Sequence, residues 1–230
     1  MRKLAYLLMV VVIASAALAQ KEVPSPPKPT DDGPSLEVTL KFIQEKMNDQ
    51  GAVGYGLTRS NLPGVTFRTF YRMSGVVADA TTCSLHKIET TNTRIEVATE
   101  NGYLESGKPV MGDDLIRQSL DTSTISLRDV ESLRVESRQD GANRQSAERG
   151  YPDVTFTVAP QVFDLVLMAS RPAFSFHNVI TIGKQPPKTV DPPLAKEDHL
   201  FFREEETAKR LAKAITHAVE LCGGGNQDPF

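Results

Sequence analysis

An alternation of apolar and polar side chains dominates the middle of this 230-residue chain. The alternation begins near Val65 and continues, with turn-rich interruptions, to about Val158. A period of two residues is typical of antiparallel strands that bury one face and expose the other. Residues 162–169 (VFDLVLMA) are apolar at both parities, which predicts a strand covered on both sides. With a last short strand at 200–202, the pattern predicts about seven strands.

Amphipathic helices are predicted before and after the strand region. Residues 35–50 carry apolar side chains at helical spacing, behind a serine that suits the N-cap position. The second helix, from Glu204 to Cys222, begins with three glutamates, which favour the positive end of the helix dipole. Its apolar residues form one stripe that ends at Cys222, and three glycines then end the helix.

These elements predict an α+β domain over residues 35–225. We expect an antiparallel, bent sheet or partly open barrel of about seven strands, capped by the C-terminal amphipathic helix and accompanied by the N-terminal helix. The pleckstrin-homology-like (PH-like) architecture fits this order of elements best. A lipocalin-type barrel also ends in a helix, but its early Gly-x-Trp signature requires a tryptophan, and the chain contains none. A cystatin-like or nuclear-transport-factor-like sheet around the first helix is a further alternative.

The N-terminus has the pattern of a secretory signal. Arg2 and Lys3 precede an apolar run that is too short to span a bilayer comfortably, because a span needs about 20 apolar residues. Small residues follow the run and end at Ala19, before Gln20. The sequence therefore predicts a signal peptide over residues 1–19 that is cleaved between Ala19 and Gln20. An uncleaved N-terminal anchor is the alternative.

Residues 20–34 are rich in proline and predict an extended leader or tether, and residues 226–230 form a short tail. The exported protein is expected in the periplasm or outside the cell, without stable membrane insertion after signal cleavage. Its formal net charge of −3 does not favour nucleic acid or an anionic membrane as a partner. The basic residues between 134 and 149 are interleaved with acidic ones, which indicates a solvated loop instead of a phosphate-binding patch.

Two cysteines, Cys83 and Cys222, are present in a chain that is predicted to be exported. An even number of cysteines in an oxidising compartment favours a single disulfide, and two separate buried thiols are the alternative. Cys222 ends the apolar stripe of the last helix, and Cys83 shares its strand parity with the inward residue Leu85. Both sulfurs are therefore expected to face the core, where a bond would tie the front of the domain to its last helix.

Three segments of the chain resemble a group of secreted bacterial proteins. They are FREEETAKRLAKAITHAVELCGGG at 202–225, SLEVTLKFIQEKMN at 35–48 and the strand around Cys83. Members of that group have a signal peptide, an early helix, β-strands and a terminal helix ending His-Ala-Val-Glu-Leu-Cys-Gly-Gly. The resemblance spans most of the mature chain, and its specific part is the last helix. It implies a shared fold and shared cysteines, and it implies no activity.

The sequence contains no recognisable catalytic or metal-binding motif. The four histidines are not spaced as metal ligands, and His86, His199 and His217 are interpreted as an exposed strand residue, a surface-turn residue and a structural helix residue. Gly51 and the two glycines that follow it lie behind a helix and lack the spacing of a dinucleotide-binding loop, so they predict a flexible turn. Nothing in the sequence indicates a cofactor or an enzyme.

The leading hypothesis is a non-enzymatic binding or interaction module on a disulfide-stabilised scaffold, whose partner is a protein or another component of the cell envelope. Its contacts are expected at an open sheet edge or in loops, the candidates being 99–122, 138–153 and 184–198. A first alternative is an envelope hydrolase assembled from Asp79, Ser84 and His86. A second alternative is a carrier that holds a small apolar ligand inside the barrel.

Overall fold

The computed structural model describes residues 33–62, 64–97 and 116–225. The predicted signal peptide with its Ala19–Gln20 cleavage site, all but the end of the leader, and the tail at 226–230 lie outside these residues. Most of the candidate loop 99–122 also lies outside them, and its last residues belong to a strand.

The described residues form three helices and ten strands. In chain order these are α1 (Leu36–Asp49), β1 (Ala52–Arg59), β2 (Val65–Asp79), β3 (Ser84–Val97), β4 (Ile116–Ser126), β5 (Ser132–Ser137), α2 (Arg138–Glu148), β6 (Phe156–Ala159), β7 (Phe163–Met168), β8 (Ser175–Ile182), β9 (Lys188–Val190), β10 (Glu197–Phe202) and α3 (Glu205–Leu221). The predicted α+β class is confirmed, and so are the helices before and after the strands.

Seven strands form one antiparallel sheet in the order β6-β1-β2-β3-β4-β8-β9, and three form a smaller sheet in the order β10-β7-β5. The edge strands β6 and β9 do not pair with each other in the part of the chain that the structure describes, so the large sheet stays open. The prediction of an antiparallel sheet of about seven strands is confirmed, and the small sheet adds a second layer.

The two faces of the large sheet differ in what covers them. The inner face is defined by its buried residues Val53, Tyr71, Leu85 and Ile125. It packs against the small sheet, α1 and α3 in one core, and β7 is buried at four successive positions because it lies between other elements. The opposite, outer face is defined by Phe70, Val77, Ile88 and Leu120, which are exposed.

The two predicted helices form because each buries an apolar stripe, and α1 also has a side-chain N-cap. The Ser35 side chain accepts a hydrogen bond from the Val38 amide at the start of α1. Helix α1 then buries three large side chains in the core, each of which contributes about 1.5–3 kcal/mol: Leu40, Ile43 and Met47. Helix α3 buries the predicted stripe, which comprises Ala208, Leu211, Ile215, Ala218 and Val219. These helices pack against each other across the end of the inner face.

The prediction of a flexible turn at Gly51, Gly54 and Gly56 is wrong for the last two residues. Gly54 and Gly56 lie within β1, and their inward neighbours Val53 and Tyr55 are buried. A Cβ atom at Gly54 would lie 3.0 Å from the Phe70 ring, so glycine permits that ring to lie over the strand. Gly51, with a φ of 69°, is the residue that makes the turn.

The prediction of a solvated loop between residues 134 and 149 is also wrong. Residues 132–137 form β5, and the candidate loop 138–153 is mostly helix α2. Ser137 caps that helix by accepting a hydrogen bond from the Asp140 amide. Because α2 is polar on most sides, it lacks the apolar stripe that reveals a helix in a sequence, and side-chain pairs stabilise it instead.

The third candidate loop, 184–198, is partly strand. It contains β9 and the first two residues of β10. His199 therefore lies in a strand, and its interpretation as a surface-turn residue is wrong. Because β10 pairs with β7, Asp198 is buried and His199 is partly buried instead of lying in a surface turn.

Candidate functional site

The predicted disulfide is present. Cys83 lies in the turn between β2 and β3, Cys222 is the C-cap residue of α3, and their Cα atoms are 5.9 Å apart. Cys83 has a φ of 53°, in the left-handed region that disfavours side chains other than glycine and asparagine. The bond therefore fixes an unusual turn residue to the end of the last helix.

The glycines after Cys222 complete this connection. Gly223 has a φ of 75° and ends the helix, and the Gly225 amide donates a hydrogen bond to the Val130 carbonyl. Gly224 lies against the chain that follows β4, where an added Cβ atom would come within 2.5 Å of the Leu127 carbonyl oxygen. The Cys-Gly-Gly-Gly sequence thus combines a covalent bond with a close backbone approach.

Replacement of Gly224 by alanine is expected to lower the free energy of unfolding by about 1–3 kcal/mol, the usual cost of forced overpacking. The reason is that the added methyl group would overlap backbone atoms of Leu127 and Arg128, which cannot rotate away. Denaturant unfolding monitored by circular dichroism measures the loss. Gly75→Ala is the matched control, because its Cβ atom would meet nothing within 4 Å. Equal stability of the two variants would contradict the packing argument.

The proposed hydrolase residues are only partly brought together. The His86 Nε2 atom lies 3.2 Å from the Ser84 hydroxyl, but the Nδ1 atom lies 3.0 Å from the Thr124 hydroxyl, where a catalytic carboxylate would be needed. Asp79 instead accepts hydrogen bonds from Thr81 and Thr82 in the β2–β3 turn. These bonds lower the pKa of Asp79 to about 2, so its carboxylate stabilises the turn.

The other histidines also have local partners. The exposed position predicted for His86 is confirmed. The His177 Nδ1 atom lies 2.6 Å from an Asp191 carboxylate oxygen at the surface. The His217 Nε2 atom lies 2.9 Å from the Pro34 carbonyl oxygen, which ties α3 to the residues before α1 and agrees with a structural role.

The main polar feature of the interior is a group of four residues, Tyr71, Lys87, Glu89 and Asp198, which we call the lysine cluster. The Lys87 side chain is fully buried. Its Nζ atom lies 2.8 Å from carboxylate oxygens of both Glu89 and Asp198, and its third contact is the His199 carbonyl oxygen at 3.4 Å. Because Lys87 and Glu89 lie on β3 and Asp198 lies on β10, the Lys87–Asp198 ion pair joins the two sheets.

Burial and charge compete in setting the pKa values of the lysine cluster. Burial lowers the pKa of Lys87, but the attraction of Asp198 and Glu89 outweighs it, so the net pKa is raised and the amine stays charged. Burial raises the pKa of Glu89, and Lys87 offsets only part of that rise. Burial and the neighbouring Glu89 carboxylate raise the pKa of Tyr71 well above 10.0, so its hydroxyl stays protonated and donates to Glu89.

A second buried carboxylate lies next to the lysine cluster. Asp164 on β7 is fully buried, and its Oδ2 atom lies 2.8 Å from the His199 Nδ1 atom and 3.7 Å from an Arg138 nitrogen. The His199 side chain keeps about a quarter of its surface exposed (26%). Arg138 lies over the Phe201 ring, with 5.3 Å between its guanidinium carbon and the ring centroid. This group joins α2 to the small sheet.

The lysine cluster and the group around Asp164 connect layers of the fold. Lys87 is charged and inaccessible, which removes it as a nucleophile or a general base. The Tyr71 hydroxyl is protonated and donates its hydrogen bond to Glu89, so it is not available to accept a proton. Since a buried partner without the other leaves an uncompensated charge, separating Asp198 on the small sheet from Lys87 on the large one is unfavourable.

Sequence reasoning missed the lysine cluster, although a signal was present. Lys87 has the same strand parity as the buried Leu85, and Asp198 has the same parity as the buried Leu200. Asp164 interrupts the apolar run at 162–169. Charged residues at inward positions of two strands could have indicated a buried ion pair.

The outer face of the large sheet is uncovered by any described element. Its four large apolar side chains are 44–61% exposed, although they lie on neighbouring central strands of the sheet. In the register, Thr122 lies opposite Ile88 and Thr90 lies opposite Leu120. Arg72 lies opposite Thr90 within the face, and Arg94 lies at one end, opposite Arg68. Neither arginine forms an ion pair with a described residue, whereas Arg68 binds Glu96 at 2.6 Å.

Comparisons with known proteins do not assign the chain to a family. The sequence matches no protein-family model, and no curated protein and no solved structure matches the chain. Within residues 33–62, 64–97 and 116–225, no group of His, Cys, Asp and Glu side chains is arranged to hold a metal ion. None of the helices in those ranges is long and apolar enough to cross a membrane.

Proposed function

We propose that the protein is an exported, non-enzymatic interaction module that binds a protein partner through the outer face of its large sheet. The observation that carries this proposal is the exposure of Phe70, Val77, Ile88 and Leu120 together on one face. Contiguous apolar surface on a folded protein marks an interaction site, because leaving it in water is unfavourable. Export to an oxidising compartment is supported by the disulfide and by the signal-like N-terminus.

The size of the outer face favours one segment of a partner over a second copy of this chain. Three strands about 4.8 Å apart, with about seven residues each at 3.4 Å per residue, give an area of roughly 340 Å². A standard stable interface buries about 800 Å² on each partner. The face is therefore suited to a single segment that an otherwise separate protein places across the strands.

The charges of the outer face indicate the character of that segment. Arg72 and Arg94 have no carboxylate partner among the described residues, and Glu96 and Asp191 are already paired with Arg68 and His177. The face thus combines apolar side chains with unpaired positive charge. Its complement is a segment that carries both apolar and acidic side chains.

Ile88→Glu/Leu120→Glu is expected to weaken capture of the partner by about tenfold or more, since burial of two apolar side chains is lost and two acidic groups oppose the acidic segment. The tagged full chain is expressed in its source cells and crosslinked, and the partner is quantified by mass spectrometry. Val38→Glu/Leu194→Glu is the matched control, because both residues are more than half exposed away from the outer face.

The proposal requires one partner to be retained by the wild type and the control and lost by Ile88→Glu/Leu120→Glu. Higher salt should weaken capture by the wild type more than capture by Arg72→Gln, because the arginine supplies part of the attraction. Equal capture by the outer-face variant and the control, or repeated failure of the wild type to retain a partner, would refute it.

A further inference from the structure

A groove of about 370 Å³ lies between α2 and the corner of the large sheet where β1, β2 and β6 meet. Three arginines line it, Arg59, Arg138 and Arg149, and no carboxylate does. Its aromatic lining consists of Phe67, Tyr151 and Phe156. The groove is on the opposite side of the sheet from the outer face, so it is independent of the proposed interaction surface.

Helix α2 separates charges that are mixed along the sequence. Arg138, Gln145 and Arg149 are seven and eleven residues apart along the helical stretch, which places them on one side. The acidic residues are held elsewhere: Arg144 binds Glu136 at 3.0 Å and Glu148 at 2.8 Å. The basic and acidic residues that are interleaved between positions 134 and 149 thus lie on different sides of the folded segment.

The arginines of the groove keep unused hydrogen-bond donors. Arg59 stacks over Phe156, with 5.8 Å from its guanidinium carbon to the ring centroid, and neither Arg59 nor Arg149 forms an ion pair with a described residue. The Nε atoms of Arg59 and Arg138 are buried without a hydrogen-bond partner in the described part of the chain. The one carboxylate paired with Arg138 is Asp164, at 3.7 Å.

We propose that this groove binds an organic oxyanion, a carboxylate or a phosphate ester attached to a planar apolar ring. The oxyanion would accept charge-assisted hydrogen bonds from the guanidinium groups, whose planar fork matches both kinds of head group. The ring would lie against Phe67, Tyr151 and Phe156, where stacking and burial add affinity.

Phenyl phosphate, benzoate and inorganic phosphate are the probes, titrated into the full chain by isothermal calorimetry. We expect saturable binding of phenyl phosphate or benzoate with a Kd of about 1 mM or lower, and clearly weaker binding of inorganic phosphate. Whichever aromatic probe binds more tightly identifies the head group as phosphate ester or carboxylate.

Arg59→Gln/Arg149→Gln is expected to weaken binding of that probe by about tenfold or more, because charge-assisted hydrogen bonds are lost. Arg128→Gln/Arg171→Gln removes the same charge from exposed positions outside both the groove and the outer face, and should change the Kd by less than about twofold. Should the first variant fold poorly, Arg149→Gln alone, at an exposed position, must still weaken binding measurably. Absence of saturable binding by both aromatic probes, equal loss in the two double variants, or equal affinity for inorganic phosphate and phenyl phosphate would overturn the proposal.

Discussion

Replacement of Lys87 by methionine is expected to lower the free energy of unfolding by about 3–5 kcal/mol, the typical cost of removing one member of a buried ion pair. Methionine preserves most of the side-chain volume, so the loss reports on charge instead of on a cavity. Without the amine, Glu89 and Asp198 would face each other across the two sheets with no cation in contact. Urea unfolding measures the change.

Lys41→Met is the control for this substitution. Lys41 is exposed on α1, and its one ion pair within the described residues is a 3.9 Å contact with Glu45, so its loss should change stability by less than about 0.5 kcal/mol. A matching result for Lys87→Met would show that the buried amine is not required by the fold.

The deficit of Lys87→Met is expected to shrink in acid. Burial raises the pKa of Glu89 in the fold, and removing Lys87 abolishes the interaction that offsets part of the rise. A carboxyl whose folded pKa is raised favours the folded state while it is protonated and destabilises it as the pH rises through that pKa. The difference between wild type and variant should therefore be smaller at about pH 5 than at about pH 8. A constant difference would contradict the assignment.

Loss of the disulfide is expected to have an effect of similar size. Its sequence separation of 139 residues corresponds to an entropic stabilisation of about 5 kcal/mol, and native disulfides contribute about 2–5 kcal/mol when measured. Cys83→Ser/Cys222→Ser should therefore unfold at markedly lower denaturant concentration than the oxidised protein. Reductant should destabilise the wild type and leave this variant unchanged. Equal unfolding midpoints of the wild type with and without reductant would contradict the prediction.

A comparison of serine and glycine at position 83 isolates the contribution of the turn. Since residue 83 has a φ of 53°, Cys83→Gly/Cys222→Ser should be more stable than the double serine variant by about 1 kcal/mol. The covalent bond would then be the feature that permits a strained residue in this turn. A double serine variant as stable as the glycine variant would show that the turn does not strain its residue.

The sequence predicted the elements whose patterns follow directly from backbone geometry. The alternation in the strands follows from the pleat, and the apolar stripe of α3 follows from the helical period. Both elements could therefore be predicted without knowing which elements they pack against. Helix α2 could not be, because its stability comes from Ser137 and from the Arg144 pairs instead of from an apolar face. Strand β1 was not predicted because Gly54 and Gly56 interrupt its pattern of side chains. The missing side chain at Gly54 leaves space for the Phe70 ring on the next strand.

The candidate sites were harder to predict because they depend on which residues meet. Predicting the disulfide required only two cysteines at positions expected to face the core. Predicting the lysine cluster required knowledge that β10 approaches β3, since an inward lysine indicates a buried ion pair only when its carboxylate partners are known. The arginine groove required the three-dimensional separation of charges that alternate between residues 134 and 149.

The contact between Lys87 and β10 also bears on how a nascent chain reaches this fold. His199 follows Lys87 by 112 residues, so ribosomes complete β1 to β4 long before the carboxylate of β10 exists. Until then Glu89 is the one carboxylate of the lysine cluster that can pair with the amine, and we expect a charged inward lysine to oppose premature closing of the exposed strands on one another or on a neighbouring polypeptide. The side chain that joins the layers in the complete fold is therefore expected to reduce aggregation of the incomplete chain as well.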